Sequence, residues 1–247
     1  MDMHWSWIRL AVGAAGLSGI AAGYVVNVDR ATRQGADLSV VLANYFGMFT
    51  IVSTMLSVIA LGVAAAWSRL HPGTTREPRS VALGLALATV PMLLLGIVYN
   101  VLLRAAPSGI ALGDSAGIAI LDSYAVEVLH VVLPVYLLVD LLFATRRRGL
   151  PWWSLAVLAA YPLLWLLHTM VRGEFVADPF GSTPWWYPYP FLDPHGAGGW
   201  GSALMYIAAI FVAFVGIGAA VIATGRYRER RAARRALTPE RVAVLHR

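Results

Sequence analysis

Six long apolar stretches, none with a two-residue alternation, limit what this chain can fold into. They occupy residues 6–27, 39–67, 79–104, 117–143, 151–171 and 200–224. A helix needs about 20 apolar residues to cross a hydrocarbon core of about 30 Å, and barrel strands would show alternating hydrophobicity instead. The sequence therefore predicts an all-α bundle of six transmembrane helices over 1–224, followed by a basic cytoplasmic tail over 225–247.

The composition agrees with a membrane protein. Only 13% of the 247 residues are charged, against about 25% in soluble domains. The absence of cysteine excludes disulfides, thiolate catalysis and cysteine-based metal sites. All 19 basic residues are arginine, and most of them flank apolar stretches, so the net charge of +6 predicts no nucleic-acid partner. The first stretch has a thin basic flank and more apolar stretches follow it, which favours a membrane helix over a signal peptide.

Arginine placement predicts the orientation, because loops rich in arginine stay in the cytoplasm. One set lies in the 68–79 loop, the 144–150 loop and the tail, and consists of Arg69, Arg76, Arg79, Arg146, Arg147, Arg148, Arg226, Arg228, Arg230, Arg231, Arg234, Arg235, Arg241 and Arg247. The opposite side carries only Arg30, Arg33, Arg104 and Arg172. We therefore expect a multi-pass protein of the cell membrane with both termini in the cytoplasm. The tail is expected to contact anionic membrane lipid or, alternatively, a partner protein.

The long 172–199 loop is rich in aromatic residues, with the run 185–191 reading Trp-Trp-Tyr-Pro-Tyr-Pro-Phe. Trp and Tyr favour the membrane–water interface. We interpret the loop as a cap on the outer surface in which Trp186 and Tyr187 cover the mouth of a site and contact substrate. A plain interfacial belt is the alternative.

Polar side chains inside the apolar stretches are the candidate functional residues, since ionisable groups are costly in a bilayer. The stretches contain Thr50, Ser53, Thr54, Tyr99, Asn100, Asp122, Glu127, His130, Asp140, Tyr161 and His168. Thr50 and His130 lie about 11 and 13 residues below the outer ends of their predicted helices, on the order of 16–20 Å at 1.5 Å per residue. Both are expected near the midplane, where they meet if the two helices are neighbours.

A threonine beside a histidine can act as a nucleophile and its general base. The hydroxyl is a weak nucleophile until a base takes its proton, and histidine is the usual base because its pKa lies near neutral pH. Two structural alternatives stand beside this hypothesis. A membrane Thr often bonds a carbonyl of its own helix, and a membrane His often serves as a helix–helix contact.

Four further residues are predicted to contact the substrate or to support the pair. Glu127 precedes His130 by three residues and is expected to orient its ring, or to pair with Arg104 or Arg172. Asn100 and Tyr124 are candidate donors to an oxyanion, and His168 lies nearer the outer surface. Of the remaining acids, Asp122 is expected to be solvated, and Asp140 to form an ion pair that reaches the inner arginines.

The histidines do not predict a metal site. Only two of the six lie inside apolar stretches, at different predicted depths. Neither H-E-x-x-H nor H-x-x-E-H spacing occurs. We therefore predict no metal, no haem and no other cofactor.

Three short motifs carry a resemblance to a known family. They are Phe49-Thr50, the run from His130 to Pro134, and Tyr189-Pro190-Phe191-Leu192-Asp193. In this order and on these helices they resemble the androgen-induced-protein and ADTRP family, and more closely that family's bacterial six-helix relatives. Those share the longer run from Trp186 to Pro194, preceded by an Arg-Gly that matches Arg172-Gly173. The helix-two Asn that is common in the relatives is absent after Ser53-Thr54.

The resemblance implies a six-helix membrane fold with both termini in the cytoplasm. It also implies an activity, because the animal members hydrolyse fatty acid esters of hydroxy fatty acids. Their essential threonine and histidine fall on Thr50 and His130. The leading hypothesis is accordingly an intramembrane hydrolase of a lipid-like ester, with Thr50 as nucleophile and His130 as base. The alternatives are a non-enzymatic carrier or receptor for a lipid or small molecule, and a proton-coupled transporter that uses Asp122, Glu127 and His130.

Overall fold

Eight α-helices account for most of the chain in a computed structural model, which describes residues 2–73, 76–105, 113–181 and 183–245. In chain order they are α1 (Asp2–Gln34), α2 (Leu38–Gly47), α3 (Phe49–Leu70), α4 (Arg79–Val98), α5 (Ala116–Glu127), α6 (Leu133–Phe143), α7 (Ser154–Gly173) and α8 (Gly199–Leu245). A π-helical turn, Tyr99–Leu103, extends α4, and another, Val128–Val132, joins α5 to α6. A 3-10 turn covers Pro190–Leu192.

Six helices of the described chain are long and apolar enough to cross a membrane, as the sequence predicted. They span His4–Gln34, Phe49–Leu70, Arg79–Leu103, Ala116–Phe143, Ser154–Gly173 and Gly199–Arg234. The second differs from the expectation, because the apolar stretch 39–67 is two helices. Met48 between them has φ −61° and ψ 137°, an extended conformation that ends α2 and starts α3.

The core forms around α4, which packs against α3, α6, α7 and α8, while α1 packs against α2, α3 and α5. Leu85, Ala88 and Met92 of α4 are fully buried. In contrast, α7 and α8 direct large apolar side chains outward, including Leu164, Leu167 and Val212. Apolar side chains on both sides of these helices suit a bundle surrounded by lipid rather than water.

Glycines on one face of α1 allow close packing against the neighbouring helices. A Cβ atom at Gly16 would lie 3.2 Å from a Val58 side-chain carbon of α3, and one at Gly19 would lie 3.1 Å from Leu129. Gly23 continues the face and lies against the Tyr45 hydroxyl of α2. Small residues at these positions let the neighbouring backbones approach.

A buried ion network joins the helices at the arginine-rich end of the bundle. Asp140 is fully buried and accepts hydrogen bonds from Trp5 Nε1 at 2.7 Å, from Arg9 Nε at 2.8 Å and from Arg147. Arg9 also pairs with buried Glu77 at 2.8 Å. The predicted partnership of Asp140 with arginines is confirmed. The pair is buried rather than placed at the surface, because Arg9 and Arg147 turn inward to the carboxylate.

The basic tail begins as part of the bundle. Helix α8 continues without a break across residues 224 and 225. Arg226 donates to the Leu150 carbonyl at 3.4 Å, Arg228 donates to the Ala144 carbonyl at 2.8 Å, and Arg76 pairs with Glu229. The first turns of the tail are therefore fastened to the 144–150 loop.

Removing the carboxylate from the ion network should destabilise the protein strongly. In Asp140→Asn the positive charges of Arg9 and Arg147 stay buried with one acid, Glu77, instead of two. Breaking a buried pair in this way typically costs about 3–5 kcal/mol. The measurement is thermal unfolding in detergent.

The matched control is Asp29→Asn, which breaks a half-exposed pair with Arg33 on the surface of α1 and should cost no more than about 1 kcal/mol. Equal destabilisation of the two variants would show that the buried network contributes no more to the stability of the fold than a pair on the surface.

Candidate functional site

One cavity of about 830 Å³ opens between the helices at the end of the bundle opposite the ion network. It is surrounded by parts of α1, α2, α3, α4, α5, α7 and α8 and by the aromatic loop. Its lining is mainly apolar, and the size is within the range of sites for small ligands, about 300–1,000 Å³. Thr50 and His130 both line this cavity, together with Tyr189 of the loop.

Thr50 occupies the second position of α3, directly after the break at Met48. The first N–H groups of a helix have no partner within it, and Met48 provides no side-chain cap. Thr50 is therefore held beside backbone N–H groups that have no acceptor within α3. The depth argument assumed one continuous helix over 39–67, whereas the helix that carries Thr50 begins at Phe49.

His130 lies in the π-helical turn Val128–Val132, a distortion with a visible cause. Pro134 follows four residues later and has no N–H to donate to the His130 carbonyl. That carbonyl instead accepts from Asn100 Nδ2 at 3.2 Å. Gly96 leaves room for this contact, since a Cβ atom there would lie 3.1 Å from the Pro134 side chain.

The His130 ring presents a free nitrogen to Thr50. Its Nδ1 lies 3.1 Å from the Val126 carbonyl, which can only accept, so Nδ1 carries the proton and Nε2 has an open lone pair. Nε2 is 3.4 Å from the Thr50 hydroxyl oxygen. The Tyr99 ring stacks on the imidazole with centroids 4.1 Å apart and fixes its plane.

Tyr189 completes the group, and the sequence identified it only as part of a motif. Its hydroxyl is 3.3 Å from the Thr50 hydroxyl and also meets the backbone N–H groups of Phe49 and Thr50. Burial raises the pKa of the Tyr189 phenol, and the hydrogen bonds from Thr50 and Phe49 oppose that shift. The position of this tyrosine, in a loop remote in sequence, could not be read from helix periodicity.

Glu127 does not orient His130. It pairs instead with Arg104 at 2.7 Å, one of the two alternatives that the sequence left open. This pair is half-exposed and lies outside the cavity lining. The ring of His130 is oriented by the carbonyl of its own helix, because Val126 is placed one turn before it.

Asn100 and Tyr124 are not placed as oxyanion donors. The Asn100 amide nitrogen serves the carbonyls of Gly96 and His130. The Tyr124 hydroxyl lies 2.6 Å from Ser18 Oγ. Neither residue lines the cavity.

Some of the remaining predicted residues line the cavity and others do not. Trp186 and Tyr187 line the cavity, whereas His168 is exposed and lies beside a separate small pocket. Asp122 was expected to be solvated, but it pairs with Arg30 at 2.7 Å at the cavity wall. The two predicted acids, Asp122 and Glu127, are thus each paired with an arginine.

Glu174 attaches the aromatic loop to the end of α7. It accepts hydrogen bonds from the Tyr187 hydroxyl at 2.6 Å and from His195 Nε2 at 3.1 Å, and Trp185 stacks on the His195 ring. Gly173 makes space for Tyr187, whose ring a Cβ atom there would meet at 2.5 Å. The hydrogen bonds from Tyr187 and His195 lower the pKa of the Glu174 carboxyl.

Over the residues that the structure describes, no group of three His, Asp or Glu side chains is arranged to hold a metal ion. The cavity wall itself offers a hydroxyl, an imidazole, a phenol and the N–H groups at the start of α3. No protein-family model matches this chain, and no similar curated protein or solved structure was found.

Acid should release the aromatic loop. Because the pKa of Glu174 is lowered in the folded protein, its contribution is present above the ordinary value of 4.5 and is lost as the pH falls through the lowered value. Tryptophan emission from the loop should therefore change in the acid range below pH 4.5.

The matched variant is Glu174→Gln, which should lack that acid transition and show the released emission already at pH 7. Identical titration curves for the variant and the wild type would contradict an attachment through this carboxylate.

Proposed function

We propose that this chain hydrolyses lipid esters from within a cell membrane, with Thr50 as the nucleophile and His130 as the general base. The observation that carries the proposal is the 3.4 Å approach of the Thr50 hydroxyl to the unprotonated Nε2 of His130, inside a large apolar cavity. Such hydrogen bonds are often long in the ligand-free state and tighten when substrate binds.

The first step is acyl transfer to the enzyme. As the Thr50 oxygen attacks the ester carbonyl, its proton passes to His130 Nε2 and a tetrahedral oxyanion forms. Collapse of this intermediate breaks the bond to the alcohol, which leaves with the proton from Nε2. The acyl group stays on Thr50 as an ester.

The second step reverses these roles. Water attacks the acyl-threonine while His130 takes a proton from it, and Nε2 then returns that proton to the Thr50 oxygen. The products are a carboxylic acid and an alcohol, and both side chains are regenerated. Water enters from the aromatic end of the bundle.

The N-terminus of α3 supplies charge stabilisation in this mechanism. The Tyr189 hydroxyl marks where an oxygen atom meets the N–H groups of Phe49 and Thr50. A helix N-terminus carries partial positive charge, and donors aimed at a developing oxyanion are among the largest contributions to catalysis. We assign the Tyr189 hydroxyl, which these N–H groups polarise, as the oxyanion donor.

The orientation within the membrane follows from the charges. The positive-inside rule places the arginine-rich end, with both termini, in the cytoplasm. The cavity mouth then faces the outer side, and its substrate chains lie among the helices. The arginines of the tail contact anionic lipid of the inner leaflet.

The proton-coupled transporter receives less support than the hydrolase. Such a relay needs acids that exchange protons with His130. Asp122 and Glu127 are each engaged by an arginine, Arg30 and Arg104 respectively.

Replacing either member of the pair should abolish ester hydrolysis. With long-chain ester probes and purified protein, Thr50→Ala and His130→Ala should each lower turnover by about 10²–10⁴-fold. Tyr189→Phe should lower it by about 10²–10³-fold through loss of one oxyanion donor. A fluorophosphonate probe should label the wild type and not Thr50→Ala.

Two matched controls separate chemistry from folding. Thr54→Ala removes a buried threonine one turn further along α3 that does not line the cavity, and His168→Ala removes an exposed histidine outside it. Both should keep wild-type turnover. If Thr50→Ala also keeps its turnover, the mechanism is wrong, and bound but unhydrolysed ester would favour a lipid carrier.

A further inference from the structure

An unpaired amide lies in the wall of the cavity. The inner face of α2 carries Val41, Asn44 and Tyr45, and these three residues and the adjoining Met48 line the cavity. Asn44 is only 3% exposed, yet neither its Nδ2 nor its Oδ1 has a hydrogen-bond partner within the described part of the chain. Leaving a buried polar group unpaired is unfavourable, so such a group calls for an explanation.

The neighbouring polar groups are committed elsewhere. The Tyr45 hydroxyl donates to the Ile20 carbonyl at 2.6 Å, and Asn27 Nδ2 donates to the Gly23 carbonyl at 2.8 Å. The Asn44 amide is thus held in a sparsely polar wall, with both a donor and an acceptor unused. A ligand group that both accepts and donates would satisfy it, and a hydroxyl is the simplest such group.

The charges around the cavity select against an anion. Among the described residues, its charged lining consists of three carboxylates, Asp122, Asp178 and Asp193, and one guanidinium, Arg30. Arg30 is already shared between Asp114 and Asp122, at 2.6 and 2.7 Å. A ligand that brought a further carboxylate or phosphate would face like charge, which disfavours binding.

We propose that Asn44 is a specificity-determining residue that hydrogen-bonds a hydroxyl of an uncharged acyl lipid, so that the cavity prefers glycerol-type monoesters to lipids with an anionic group. The acyl chain lies along the apolar side formed by α7 and α8, where Leu163, Ile207 and Phe211 line the cavity. The choice of an ester rests on the proposed function, but the binding preference does not.

A binding experiment with ligands that cannot be hydrolysed tests the inference separately from catalysis. Displacement of a fluorescent chain probe from the purified protein is measured with an alkylglycerol ether and with a fatty acid of the same chain length, at pH 8. The wild type should bind the ether about tenfold more tightly, as expected for one hydrogen-bonded group and one avoided repulsion. Equal binding, or a preference for the fatty acid, would overturn the proposal.

The decisive variant is Asn44→Leu, which keeps the side-chain size and removes both unpaired atoms. It should bind the ether about tenfold more weakly and the fatty acid unchanged. Its thermal stability without ligand should equal or exceed that of the wild type, because no hydrogen bond is lost. An unchanged affinity for the ether in a folded Asn44→Leu would exclude the assignment.

Asn27→Leu is the matched control, since it removes an amide from the same cavity whose nitrogen already serves its own helix. It should leave the ratio of the two affinities unchanged, and an equal loss in this variant would show that overall polarity, not Asn44, sets the preference.

Asp178→Asn combined with Asp193→Asn should strengthen fatty acid binding, and no change would refute the charge argument. If the wild type binds the ether selectively but does not hydrolyse a monoacylglycerol, the proposed hydrolase activity is wrong and the binding preference stands.

Discussion

Backbone hydrogen bonding is the constraint on which this structure depends, because a helix in lipid has no water to satisfy a broken bond. Two of the breaks in its ladder meet at Thr50 and His130. At Met48 the backbone becomes extended, and the Tyr189 hydroxyl meets the free N–H groups of α3. At Pro134 the His130 carbonyl loses its donor, and Asn100 replaces it. Each break is compensated by a side chain from another element.

These two compensated breaks also explain why the candidate site lies where it does. The first leaves Thr50 at a helix N-terminus, and the second accompanies the π-helical turn that carries His130. Distortions of this kind are tolerated where protein surrounds them and often occur at functional sites. The ion network around Asp140 at the opposite end ties α1, α6 and the flanking loops together. The ion network thus holds the helices together at one end of the bundle, and the apolar cavity lies at the other end.

The proposed chemistry and the proposed selectivity use different parts of the same cavity. The Thr50 hydroxyl already contacts both His130 and Tyr189. Asn44 has no hydrogen-bond partner among the described residues, and we assign that role to a ligand hydroxyl. Removing the first three should affect turnover, whereas removing Asn44 should affect which lipid binds. The separation lets catalysis and recognition be tested independently.

The six apolar helices, their order and the gathering of arginines at one end follow from the sequence alone, because hydrophobic length and charge are local properties of the chain. The short motifs also selected Thr50 and His130. Only the tertiary structure decided that 39–67 is two helices, since neither proline nor a charge marks Met48 within an apolar run. It alone paired Glu127 with Arg104, left Asn44 unpartnered and brought Tyr189 to Thr50. These contacts join residues far apart in the chain, and their geometry depends on how the helices pack, which no local pattern specifies.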